Sequence, residues 1–98
     1  MVGDRRAFIR CGTFWANVYN KGDYAQIHDH SPSDYSFAYF VKSKWYYPPL
    51  VFPDSGKRIR PKEGTLVIFP SDLKHRVPRH RYNDTRITLS GNLDIPNR

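Results

Sequence analysis

The stretch Glu63-Gly-Thr-Leu-Val-Ile-Phe-Pro-Ser-Asp-Leu-Lys-His75 decides how the rest of the chain is read. Its β-branched and aromatic run from Thr65 to Phe69 has the composition of a strand. Pro70 cannot donate to a ladder and stops that strand, and Ser71 with Asp72 favours a tight turn. The turn delivers His75 to the start of another short run, His75 to Val77. The same grammar extends in both directions. Strands are predicted over Thr13 to Tyr19, Tyr24 to His30, Tyr35 to Val41 and Arg86 to Ser90. Between all these runs lie turn formers: Asn20 to Asp23, Ser31 to Asp34, Pro53 to Gly56, Pro61 to Gly64, Pro70 to Asp72, and Asn83-Asp84. Eight prolines and six glycines, with no repeat and no heptad pattern, leave no stretch for a long helix. The expected fold is an all-β antiparallel sandwich or barrel, formed as one domain over residues 1–98.

At 39% hydrophobic and 26% charged residues the chain can bury a core and is neither disordered nor fibrous. No stretch approaches the roughly 18 consecutive apolar residues of a membrane span. Met1 to Arg6 is not followed by the apolar run of a secretory signal, so a soluble, cytoplasmic protein is expected. The single cysteine, Cys11, excludes an internal disulfide framework and a thiolate-rich zinc module. Any metal must therefore be held by histidine and carboxylate. Sixteen Lys and Arg against nine Asp and Glu give a net charge of +7, which attracts polyanions, nucleic acid among them, or small anionic substrates.

Residues two apart share a face of a strand, so Arg86, Thr88 and Ser90 point one way and Ile87 and Leu89 the other. If the apolar face packs inward, Arg86 lies on the surface, the blander reading. If the strand lines the mouth of a barrel, Arg86 points inward at an anion. His28 and His30 likewise share a face, at a separation suited to one ion, with Asp29 opposite; two exposed strand-end histidines would look the same. His75 starts a strand, and a connection from Pro78 to Asp84 is expected to set Arg86 on the strand beside it. His80, in the basic loop Arg79 to Arg81, is expected to be solvated. Tyr19, Tyr24 and Tyr39 could line a pocket, although aromatic residues in strands, Trp15 included, more often pack in the core.

Four elements, in order, carry a resemblance: Trp15 to His30 with its Gly22-Asp23 and His28-Asp-His30, Ser36-Phe-Ala-Tyr-Phe40, Gly64 to His75, and Arg86 to Asn92. Together they resemble the 2-oxoglutarate and iron(II)-dependent oxygenases, and more narrowly those of bacteria and marine phages with a His-x-His first metal motif. The resemblance covers roughly residues 13 to 92. It implies a double-stranded β-helix, a jelly-roll barrel of the cupin kind, with iron(II) near one mouth. On that pattern His28 and His75 are metal ligands, and His30 occupies the position usually held by a carboxylate. Arg86 would grip the far carboxylate of 2-oxoglutarate, assisted by Thr88 or Ser90, with Tyr39 in the strand that faces the metal. The segment Lys44 to Phe52 would run between the halves of the barrel. Helices that commonly precede the first strand have no counterpart before Trp15, which suggests a minimal jelly roll that pairs with a second copy.

The resemblance implies oxidative decarboxylation of 2-oxoglutarate coupled to C–H oxidation of an unknown small-molecule or peptide substrate. An alternative third ligand is Asp29, turned inward by a bulge, or water. Two other functions stay open: a cupin-like metal protein indifferent to 2-oxoglutarate, and a non-catalytic barrel whose loops Lys57 to Arg60 and Lys74 to Arg81 hold nucleic acid.

Overall fold

A computed structural model describes residues 10–95. It contains eight strands: β1 (Arg10–Tyr19), β2 (Ala25–His28), β3 (Tyr35–Lys42), β4 (Leu50–Phe52), β5 (Lys57–Ile59), β6 (Leu66–Pro70), β7 (His75–Val77) and β8 (Arg86–Asp94). They form two four-stranded antiparallel sheets, ordered β1-β8-β3-β6 and β2-β7-β4-β5. Successive strands in the chain alternate between the sheets for most of its length, which is the double-stranded β-helix winding. No helix occurs among the described residues, and none is long and apolar enough to cross a membrane.

The six turn segments read from the sequence fall in connections between strands, save that Pro70 is the last residue of β6. Three of them hold a glycine at positive φ, Gly64 at 83° among them. Gly22, at φ 98°, carries the chain from β1 to β2, where Asp23 Oδ2 accepts the Asn20 N–H at 2.8 Å. Gly56, at φ 76°, closes the β4–β5 hairpin by donating to Phe52 O at 2.8 Å.

The core lies between the sheets. Tyr19, Ala38, Phe40 and Phe69 from the first sheet meet Leu50, Phe52 and Val77 from the second. Burying these apolar faces is what holds the sheets together, at roughly 25 cal/mol for each Å² removed from water. Most of this cluster also lines a cavity between the sheets into which polar residues face.

Strands β4 and β5 were not expected. All three residues of β4 are buried, so it has no polar alternation, and it follows Pro48-Pro49 directly. Strand β8 runs four residues past the expected end at Ser90, and β2 stops at His28, two short of His30. The connection from His75 to Arg86 also differs. Arg86 does not lie beside His75: β8 pairs with β1 and β3, whereas β7 pairs with β2 and β4. The two residues face each other across the sandwich because the connection crosses from one sheet to the other.

Candidate metal centre and anion clamp

One sheet supplies the histidines. His28 ends β2, His75 begins β7, and the two are register partners in that antiparallel pair. Their ring centroids are 4.2 Å apart. His30 lies beyond the end of β2, where its N–H donates to Ser71 O at 2.8 Å, tying it to the turn before β7. Ser71 is fixed in turn by a 2.8 Å hydroxyl contact with buried Ser36 on β3. His30 stacks on His75 with an interplanar angle of 15° and packs against Trp15 from the other sheet.

The three rings offer ligand atoms that all lie within 4.8 Å of one another. Their tautomers are set by the backbone. His28 Nδ1 donates to Gln26 O, and His75 Nδ1 donates to Leu73 O at 3.0 Å. In both cases the carbonyl two residues upstream takes the Nδ1 proton and leaves the Nε2 lone pair to face the cluster, as ligating histidines usually require. His30 Nε2 and His75 Nε2 approach to 3.2 Å. Two nitrogens bound at right angles to one ion, each about 2.1 Å from it, are about 3 Å apart. Burial pushes the His75 pKa down to about 4, helped by the neighbouring imidazoles, and His30 is lowered by burial and by His28. Both rings are therefore neutral at pH 7, the protonation state that binds metal. Asp29 is exposed and accepts the Ser31 N–H at 3.2 Å, outside the cluster.

The opposite sheet supplies polar side chains in register. Trp15 pairs with Ser90, Asn17 with Thr88 and Tyr19 with Arg86, and these six residues line the same cavity as the histidines. Asn17 Nδ2 donates to Ser90 Oγ at 2.9 Å, which leaves the serine O–H able to donate. Arg86 is 1% exposed. Its guanidinium lies 5.5 Å from the centre of the Tyr19 ring and 5.8 Å from that of Phe40, and Nη1 donates to Pro48 O at 2.7 Å. Its Nε and Nη2 have no hydrogen-bond partner, nor has Thr88 Oγ1. Burial lowers the Arg86 pKa to about 10, still fully charged at neutral pH, and raises that of Tyr19. A buried cation with two unused donors and no carboxylate beside it is costly in a protein interior. It is the chemistry of a carboxylate receptor.

Several expectations are corrected. Arg86 is not on the surface. Tyr39 does not line the cavity: its neighbours Ala38 and Phe40 are buried there, whereas Tyr39 is 37% exposed. Tyr24 is also outside, beneath Arg79 at 4.5 Å. His80 is buried, not solvated, with Nε2 bonded to Asp84 O at 2.7 Å and its ring against Tyr47. Trp15 lines the cavity instead of the core. Asn17 was missed, although its place between inward Trp15 and Tyr19 gave its direction.

With this geometry established, the chain can be compared with known proteins. Residues 51–92 match the family model described as "Putative 2OG-Fe(II) oxygenase". The chain resembles the 2-oxoglutarate and iron(II)-dependent oxygenases. The matched segment contains His75, Arg86, Thr88 and Ser90, while His28 and His30 precede it. An oxidoreductase of the 2OG-Fe(II) oxygenase family from Burkholderia pseudomallei superposes with a TM-score of 0.77 at 18% identity, over 91% of this chain and 46% of that one. A Pseudomonas putida prolyl-4-hydroxylase gives 0.67 at 19% identity, over 86% and 51%. An RmlC-like cupin protein from Desulfovibrio desulfuricans gives 0.60 at 14% identity, over 92% and 85%. The chain thus spans about half the length of the oxygenases and most of that of the cupin. The shared feature is the double-stranded β-helix. No curated protein matches the chain in sequence.

Proposed function

We propose that the chain is a 2-oxoglutarate- and iron(II)-dependent dioxygenase of the hydroxylase type, acting on a substrate still to be identified. The observation that carries this reading is Arg86, a buried guanidinium with Nε and Nη2 unpartnered, in the same cavity as three converging histidines. His28, His30 and His75 would hold the iron through imidazole nitrogens already freed of competing protons. Bound iron supplies the activation of dioxygen that couples decarboxylation of 2-oxoglutarate to oxidation of a C–H bond.

The protein's own part is to bind and orient. Arg86 presents two parallel donors to the far carboxylate of 2-oxoglutarate, and Thr88 and Ser90 on the same face of β8 add hydroxyl donors. Tyr19 and Phe40 flank the guanidinium and keep water from competing for it. With His30 in place of a carboxylate, the ligand set is more positive by one charge than a two-histidine-one-carboxylate triad, which favours a dianionic chelator.

An anaerobic titration tests this. Iron(II) followed by 2-oxoglutarate should develop a visible metal-to-ligand charge-transfer band that needs both reagents. Arg86→Met, which keeps the length and removes the donors, should weaken 2-oxoglutarate binding on the order of a hundredfold or more. Bound metal without a band would favour the cupin-like reading, and no bound metal would make the histidines structural.

A further inference from the structure

The two basic loops that the oxygenase reading leaves unused come together on the far side of the Pro48 wall. A groove of about 430 Å³ is lined by Arg58 and Arg60, from β5 and the residue after it, and by Arg81, from the β7–β8 connection. Tyr46 and Tyr82 form its sides and stay 40% and 37% exposed. Tyr47 is its buried floor, resting on His80 and donating to Asp84. No carboxylate lines the groove, and none pairs with the three arginines among the described residues. Asp84, beneath it, is already engaged by Lys44 at 3.3 Å.

From this arrangement we infer that the groove binds single-stranded nucleic acid. The inference is independent of the oxygenase reading. Three exposed guanidiniums on one groove suit a chain of phosphates better than a single anion. The tyrosines decide between polyanions. Their exposed ring faces suit unstacked bases, and Trp45 beside them, 60% exposed, carries Arg60 at 5.5 Å over its ring, a surface of alternating cation and π face. An acidic polypeptide offers no base to stack, and a duplex keeps its bases paired and covered.

The test is fluorescence anisotropy of a labelled, mixed-sequence single-stranded DNA of about twelve nucleotides, titrated at several salt concentrations. Arg58→Ala and Arg81→Ala should each flatten the log–log salt dependence by about 0.7. Tyr46→Ala and Tyr82→Ala should weaken binding roughly ten- to a hundredfold with the slope unchanged. Circular dichroism of each variant serves as the folding check, and the surface arginine variants keep the test decisive should a tyrosine variant unfold. Failure to bind, equal affinity for duplex, or displacement by polyglutamate with the tyrosine variants behaving as wild type would each overturn the inference.

Discussion

Burial sets the charge on the residues that matter most here. His75 sits 5% exposed with its pKa near 4, against about 6.5 in an unfolded chain. Between those values the unfolded chain binds the proton and the folded one does not, so stability is whole above pH 6.5 and drains away as pH falls towards 4. His30 shifts in the same direction. Thermal melts of the metal-free protein should show a falling midpoint across that window, and His75→Gln should flatten the fall; an unchanged slope would mean the ring is not held neutral by the fold. Arg86 carries the opposite liability, a charge that stays. Arg86→Met loses one bond to Pro48 O, worth about 1 kcal/mol, and relieves two unpartnered donors. Its melting point should therefore equal or exceed that of the wild type while 2-oxoglutarate binding is lost, and a loss of about 3 kcal/mol would mark Arg86 as structural. At this scale the sequence was legible in direction more than in depth. Period two put Arg86, Thr88 and Ser90 on one face, but alternation alone does not say which face is inside, and the residues by themselves favoured the surface.

Strand β8 is an inner strand of its sheet, pairing with β1 on one side and β3 on the other, and it carries the clamp. Its continuity depends on Gly91, opposite Phe14 on β1 and Phe37 on β3, where the β1 register shifts. A Cβ there would come within 2.5 Å of the Phe37 ring and 2.8 Å of Thr13 O. The ring could move but the carbonyl cannot without breaking the ladder, so Gly91→Ala should cost about 1–3 kcal/mol. Calorimetry should then record a midpoint lower by roughly 5–20 °C. Six of the eight strands and all six turns were readable because each paired a β-rich run with a residue of fixed backbone preference. Strands β4 and β5 were not: three residues with no alternation, after two prolines, carry no local strand pattern, and pairing with β7 makes β4 a strand. The crossing of the His75–Arg86 connection was illegible for the same reason, because it is decided by sheet order.

At the scale of the whole molecule, one sheet presents an apolar outer face. Outward from the first sheet point Phe14 and Val18 of β1, Tyr39 and Val41 of β3, and Leu66 and Ile68 of β6, each between 37% and 64% exposed. An apolar surface spread over several strands drives association in water. The isolated chain should self-associate with rising concentration in sedimentation velocity, and Leu66→Lys with Ile68→Lys should suppress this without altering the metal titration. The homodimer expected from the sequence stands or falls on that experiment. The division of labour between the sheets has a further consequence. His28 and His75 belong to one sheet, the arginine and hydroxyls to the other, and the cavity lies between them. A small dicarboxylate gripped at both ends would act as a rivet through the sandwich, so that filling the site and stiffening the barrel become one mechanical event.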